Sequence, residues 1–503
     1  MNNFRLIQLT LMSHPVLNNC NMVFSNDEVD HEYDGVASIY SSVIIGANGI
    51  GKSFILKSIS DIFIYLYSIK NTQEEKIRNL GYRFTIDYLY RGSTYRITTI
   101  DTSPFKVIGR SIIDQMRCWN NNIQVGLHMC ELPNVVVASA MTVSDKFTVK
   151  SSDFYRYQGI RNEHSPSTTG TRTLVRKTVA GLIQCLRMKG EYREEVARLL
   201  DVLGFERSLR VQYGIRHKDV FLKKDMTPEY LCDIFDNQSK YFSRRQSELW
   251  GTRYFTTIRD NQISLEQICA FFRRASMYSK SGRYDLDYDF FEDKILEDAD
   301  AVKMLSKLDI LSFPTLRITK CNQTYDFINS SSGETHILCQ MIGILSEIKE
   351  CGLVLIDEPE TSSHPNWQVS YIGWLKDIFQ KYASCHFVIS THSHFILSDL
   401  QPETSSIIAL SKNNEGKLEN VGEGVNTFCW STDDILYRVF HVRNTRNYAF
   451  EQDIIRLCSM VSTRNTNRDE LNELIQRLSS FKLPGNDPLK VIIQSAKKYV
   501  ETL

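Results

Sequence analysis

The chain has 503 residues, of which 42% are hydrophobic and 23% charged, and its 59 Lys and Arg are matched by 59 Asp and Glu. That is an ordinary globular composition, long enough for one large α/β domain with insertions or for two or three smaller domains. Zero net charge excludes a molecule-wide basic field, so any contact with nucleic acid has to come from local patches. The 12 cysteines form no CxxC pair and no Cys/His group at metal-ligand spacing, which predicts reduced, mostly buried thiols and a cytoplasmic protein. The opening residues MNNFRLIQLTLMSHP lack the basic and apolar regions of a secretory signal. The longest apolar candidate, Ile62–Ile69, is far short of the roughly 18 residues that cross a bilayer, so no membrane association is expected.

In chain order, Phe4 to about Ser25 alternates as strands do, and Ser38–Ile45 reads as a strand that ends in a Gly-rich turn. Ser53–Ile69 then reads as a helix, Tyr82–Ile100 as a meander of strands, and Asn134–Ser139 as a buried strand. Helical patterns dominate from about Thr171 to Leu311, with Pro228 and Gly282 as punctuation. Leu311–Asn329 returns to strands, and Glu334–Lys349 to a helix. Leu353–Ile356 reads as a buried strand, Trp367–Tyr382 as a helix, His386–Ser390 as another buried strand, and the chain is helical after Asn426. Strands alternating with helices predict an α/β fold: a mostly parallel sheet flanked by helices, with an antiparallel β-subdomain. The expected division is an N-terminal lobe over 1–170, a mostly helical insertion over 171–310, a C-terminal lobe over 311–425 and a helical tail over 426–503.

Four motifs carry the chemistry. Gly46-Ala47-Asn48-Gly49-Ile50-Gly51-Lys52-Ser53 fits G-x-x-x-x-G-K-[ST] between a strand and a helix, the context of a phosphate-binding P-loop. Its glycines, among them Gly46, Gly49 and Gly51, let backbone N–H groups, with that of Asn48, face the phosphates of ATP at the helix N-terminus. Lys52 reaches the terminal phosphates and the Ser53 hydroxyl binds Mg²⁺. Leu353–Glu360 is an apolar strand delivering Asp357, to hold Mg²⁺, and Glu358, to act as general base. Asn329–Glu334 precedes a helix, where Ser331, Gly333 and Glu334 offer a hydroxyl, free N–H groups and a carboxylate, with a helix cap as the plain alternative. Val388–Ser393 places His392 at the end of a buried strand.

In this order the four elements resemble the Walker A, signature, Walker B and switch-histidine motifs of ABC-type ATPases, over residues 1–170 and 311–400. The resemblance implies head-to-tail dimers in which the signature of one copy faces the nucleotide of the other. Asp357–Gln368 resembles the DEPE…HPxWQ pattern of the soluble branch, which includes DNA-repair, chromosome-maintenance and anti-phage ATPases. With Asn426–Leu436 and Ser139–Phe147, it resembles most the ATPase subunit of Septu-type defence systems, in the version encoded with a reverse transcriptase in retrons. That resemblance implies a partner HNH nuclease, and a reverse transcriptase carrying an RNA–DNA hybrid. The chain departs from the family pattern at Ser330, where a Leu is usual, and at Thr361-Ser362-Ser363, which replaces a more apolar triplet. The Q-loop glutamine has two candidates, Gln115 and Gln124, or Ser139–Phe147 occupies its place without one; slow or conditional hydrolysis is one consequence.

Two basic clusters interleaved with aromatics, Arg207/Arg210/Arg216/Lys218/Lys223/Lys224 and Arg273/Arg274/Lys280/Arg283, suit phosphate contact and base stacking. Their alternative is a solvated face offset by the acidic run Asp285–Asp300. The tail from Tyr448 is either packed helix or a docking surface for the nuclease. No nuclease motif is present, so any nuclease is another chain. Two other functions stay open: a repair or chromosome-maintenance ATPase, and a nucleotide-locked scaffold that barely hydrolyses.

Overall fold

The computed structural model describes residues 3–25, 32–33, 36–71, 80–100, 116–161, 170–187, 192–241, 258, 261–278, 286–308, 310–413, 417–420, 427, 430, 432–438, 447–464, 466–481, 483, 487 and 489–502. The chain forms two compact units, Met1–Thr432 and Asp433–Leu503.

The first unit is built on a seven-stranded sheet in the spatial order Tyr155–Gly159, Val136–Ala140, Leu353–Asp357, His386–Ser390, Tyr40–Gly46, Ser405–Lys412 and Leu418–Asn420. Every neighbouring pair is parallel except the last. The inner strands are buried on both faces, which is why they read as unbroken apolar runs rather than alternating ones. A six-stranded antiparallel sheet runs Asn18–Val23, Phe4–His14, Arg83–Tyr90, Ser93–Thr99, Met116–Asn120 and Ile123–Val125. The fold is therefore α/β, a mostly parallel sheet flanked by helices together with an antiparallel β-subdomain, as the alternation of strands and helices predicts.

Helix Lys52–Asn71 lies between the two sheets. Ile55, Leu56, Ile59, Ile62, Phe63 and Leu66 form one core with Ile44, Leu353, Leu355 and Val388 of the parallel sheet and Phe4, Leu9, Phe84 and Tyr88 of the antiparallel one. A helix apolar over so wide an arc has to be covered on more than one side. Side chains alternate along a strand, so Val43, Val354, Ile356, Phe387 and Ile389, equally buried, face the opposite side of the parallel sheet. There Phe387 meets Phe379, just past helix Pro365–Ile378, and Tyr371 of that helix donates to Gln340 of helix Ser332–Leu345 at 2.7 Å.

Between 171 and 310 the described residues are largely helical, but Leu209–Tyr213 and Leu286–Asp289 are strands. With Thr315–Lys320 and Gln323–Asp326 they make a four-stranded antiparallel sheet. Their partners lie far away in sequence, so periodicity alone did not reveal them. In the second unit, helices Tyr448–Ser462, Arg468–Ser480 and Leu489–Thr502 bury Leu457, Met460, Leu471, Leu474, Leu478, Ile493 and Val500 in a core of their own. The apolar stripe of the tail is thus used within the unit. Among the described residues no helix is long and apolar enough to cross a membrane.

One buried histidine joins the two sheets. The backbone N–H of Leu6 donates to His386 Nδ1 at 2.9 Å, which leaves the proton on Nε2, 2.8 Å from Ser42 Oγ. The His386→Ala substitution strands the buried Leu6 N–H and opens a cavity, so it should cost about 2–4 kcal/mol of stability in urea unfolding. A loss below about 0.5 kcal/mol would show that the sheets are held together without it.

Candidate functional site

Parallel register decides which side chains meet. Ile44 pairs with Ser390, Ser390 with Asp357, and Asp357 with Ala140, so three strands end level at one edge and the strand of Ile44 runs two residues further, to Gly46. Open α/β sheets bind ligands at this carboxyl edge. Gly46, Asp357, Ser390 and the segment after Ala140 all emerge there.

The P-loop continues from strand Tyr40–Gly46, with Ala47, Asn48 and Gly49 exposed, and helix Lys52–Asn71 starts at the lysine itself. The first-turn N–H groups of a helix have no partner within it, which makes this terminus an anion site. Gly51 has φ +113°, and a Cβ there would lie 2.4 Å from Leu17 Cδ2, so only glycine fits the turn. Lys52 is buried; its Nζ donates to the Gly46 carbonyl at 2.8 Å and lies 2.8 Å from His392 Nε2. Burial pulls its pKa down to about 8, against the opposing pull of Glu358, Glu360 and Asp357.

Ser53 Oγ donates to Asp357 Oδ1 at 3.1 Å, and Ser390 Oγ donates to the same oxygen. Burial pushes the Asp357 carboxyl up to about 6, in spite of those two hydrogen bonds. The pair Ser53–Asp357 suits Mg²⁺, a hard cation that takes one or two protein oxygens and completes its shell with phosphate and water. Among the described residues no group of three or more His, Cys, Asp or Glu could hold a metal unaided.

Glu358 sits at φ +50°, a left-handed conformation unusual for a non-glycine residue, with its N–H donating to the Ser390 carbonyl at 2.9 Å. The kink leaves Glu358 Oε1 3.6 Å from His392 Nε2. The histidine pKa is lowered, first by burial and then by Lys52, so the ring is neutral at pH 7. Lys52, Ser53, Asp357, Glu358 and His392 therefore converge.

Ser331, Gly333 and Glu334 do not join them. Among the described residues no hydrogen bond or ion pair links these three to the P-loop. Ser331 caps helix Ser332–Leu345 in a capping box with Glu334, whose carboxylate also pairs with Lys320 at 2.7 Å. A Cβ on Gly333 would come within 2.7 Å of the Ser362 carbonyl, so the start of this helix rests on the segment that follows Glu358. Ser362 is itself left-handed at φ +64°. The small polar triplet Thr361-Ser362-Ser363 thus makes a tight turn, not an apolar contact.

Three site residues escaped the sequence reading. Glu360 Oε1 accepts the His392 backbone N–H at 2.5 Å, fixing the start of the segment after Ser390. Ser390 binds Asp357 as above. Asp145 is buried beside Asp357 and is gripped by Arg161 Nε at 2.8 Å and by Tyr157 OH at 2.9 Å. Glu360, Ser390 and Asp145 all lie within motif stretches, and only pairing shows that their side chains turn inward. Gln124 is exposed on the edge strand Ile123–Val125, away from this edge, and Gln115 lies outside the described residues.

Three arginines of the basic clusters are ion-paired. Arg207 pairs with Asp201 at 2.7 Å and Arg210 with Asp287 at 2.9 Å, while Arg274 pairs with Asp298. Lys223 stacks on Tyr230 at 5.0 Å. Lys280 and Arg283 lie outside the described residues.

No family model matches the sequence, and no curated protein matches it. Among solved structures the chain is similar to the SMC head domain from Thermotoga maritima, at 12% identity over 84% of this chain and 100% of that one, with a TM-score of 0.35. It is also similar to the Smc head domain of Pyrococcus furiosus with an extended coiled coil, bound to the C-terminal domain of ScpA, at 10% identity over 83% and 96% with a TM-score of 0.30. A third is the Smc head domain of Pyrococcus yayanosii with a coiled coil and joint, at 10% identity over 83% and 97% with a TM-score of 0.30.

The buried Asp357 carboxylate is a local cost. A carboxyl with a raised folded pKa stabilises the fold only below its unfolded value near 3.8, and that contribution is lost as pH rises through about 6. Asp357→Asn should therefore raise stability at pH 7.5 by about 2 kcal/mol, read as a higher Tm, while Mg²⁺-dependent nucleotide binding disappears. In the wild type, nucleotide affinity in Mg²⁺ should fall as pH drops through about 6, where Asp357 protonates, and again above about 8, where Lys52 loses its charge. A flat fluorescent-nucleotide titration from about pH 5 to 9 would contradict both assignments.

Proposed function

We propose that this chain is an ABC-type ATPase whose catalytic unit is a head-to-tail pair of copies. One observation carries the reading: a P-loop lysine, a Mg²⁺-suited Ser–Asp pair, a kinked glutamate and a neutral histidine converge at the carboxyl edge of one parallel sheet. The Gly49 and Gly51 turns and the amides of Asn48, Lys52 and Ser53 cradle the phosphates, with Lys52 on the terminal ones. Ser53 and Asp357 hold Mg²⁺, which when bound offsets phosphate charge and orients the terminal group. Glu358 takes the proton of the attacking water, and the neutral His392 ring accepts from Lys52 beside it.

The separate placement of Ser331 and Gly333 supports a site completed by a second copy. The first-turn N–H groups of helix Ser332–Leu345 present a positive dipole end suited to a neighbour's terminal phosphate, and the Ser331 hydroxyl, which donates to Glu334 Oε2 at 2.9 Å, would reach that phosphate by exchanging this partner for it. Glu334 acts through the cap, holding Ser331 in place.

Glu358→Gln should cut turnover at least about 100-fold while leaving ATP binding intact, and ATP with Mg²⁺ should then trap a dimer in sedimentation velocity. Equal hydrolysis by wild type and variant would remove Glu358 as the base. A variant that stays monomeric with saturating ATP would remove the shared site.

The likeness of Asp357–Gln368 and Ser139–Phe147 to Septu-type ATPases supports a finer role: dimerisation on ATP governs a partner HNH nuclease, with a reverse transcriptase and its RNA–DNA hybrid in the retron form. Co-expression with the neighbouring genes should yield a stable complex containing an HNH chain. Purification of this chain alone from that co-expression would end the finer reading. The balanced ion pairs of Arg207, Arg210 and Arg274 favour contact through partner proteins over direct DNA binding.

A further inference from the structure

The stretch His364-Pro365-Asn366-Trp367-Gln368 has no part in the chemistry above, yet each described contact gives it a task. His364 is the N-cap of helix Pro365–Ile378, its Nδ1 accepting the Asn366 N–H at 3.2 Å, and Pro365 occupies the first helical turn, where a missing N–H costs nothing. Trp367 lies against Gly333: a Cβ there would be 3.4 Å from Trp367 Cζ3. Gln368 reaches in two directions. Its Nε2 donates to the Ser363 carbonyl at 2.9 Å, and its Oε1 accepts the Ser393 hydroxyl at 2.6 Å. The side-chain amide supplies a donor and an acceptor on one planar group, which matches the two ends it joins.

These ends matter because of where they lie. Ser363 belongs to the turn whose Ser362 carbonyl supports Gly333, and its N–H donates to the Glu360 carbonyl at 2.9 Å. Ser393 follows His392, whose own N–H is held by Glu360. The signature helix, the turn after Glu358 and the switch loop are thus tied into one bracket at Gln368.

We propose that Gln368 is a positioning residue that sets the His392 loop relative to the Thr361–Ser363 turn that supports Gly333, so that nucleotide engaged by one copy's signature determines whether that same copy's histidine is in place. The inference rests on the ATPase reading. A shift of the turn moves the Ser363 carbonyl, the amide follows, and the Ser393 hydroxyl carries the movement to His392. Binding at Lys52 does not pass through the bracket and stays unaffected.

The test uses the full chain with Gln368→Glu, which keeps the acceptor for Ser393 but loses the donor to Ser363, and Ser393→Ala, which cuts the other end together with the hydroxyl's acceptance of the Phe395 N–H. Both should lower kcat about tenfold or more, leave the Kd for a fluorescent ATP analogue within about twofold, and reduce the cooperativity of turnover in ATP. In the Glu358→Gln background both should still dimerise on ATP. Unchanged kcat in Ser393→Ala, or Kd rising in step with the loss of kcat in a variant with wild-type Tm, would overturn the proposal. Wild-type turnover abolished by Glu358→Gln but untouched by Gln368→Glu would overturn the bracket alone. Absence of ATP hydrolysis by the wild type would overturn the ATPase reading with it.

Discussion

The parallel register of the central sheet is the constraint from which the site follows. Because Ile44, Ser390, Asp357 and Ala140 sit side by side, the strands leading to the P-loop, to His392 and to the paired carboxylates reach one edge together. A slip of one residue in any strand would turn its inner side chains to the other face, and both faces are filled. Packing on both sides therefore defends the alignment of the edge. The helix Lys52–Asn71 enforces it further, since its apolar surface is clasped between two sheets and cannot rotate without exposing one arc.

What the register gathers is electrostatically unbalanced. Asp357, Glu358 and Glu360 approach a single ammonium, Lys52, in a partly buried space. Burial works against the charged forms of Lys52 and Asp357: the lysine is pulled to about 8 and the aspartate pushed to about 6. Such perturbation, where carboxylates and an ammonium meet at the carboxyl edge of a parallel sheet, points to a functional cluster. The left-handed Glu358 adds backbone strain at the same point. A cation and a polyanion arriving together relieve the excess of carboxylate and match the lysine and helix terminus, which a lone ion of either sign does not.

Away from that edge the molecule spends its charges on itself. Arginines that stand out in the sequence as basic patches find aspartates brought across by the Leu209–Tyr213 and Leu286–Asp289 pairing and by neighbouring helices. The last unit likewise closes its own core around Leu471 and Leu478.

The four motifs, the alternation of strands and helices and the fold class were legible in the amino-acid order, because each depends on neighbours within one turn or one strand. Glycine at position 51, a hydroxyl at 53 and two carboxylates after Ile356 announce their chemistry locally. The sheet through 209–213 and 286–289, the grip of Arg161 on Asp145, the hold of Glu360 on His392 and the reach of Gln368 were not legible. Each joins residues whose encounter depends on how strands align and helices dock. Local propensity cannot encode such pairings, since they exist only once burial has fixed the register and brought distant segments within hydrogen-bond range.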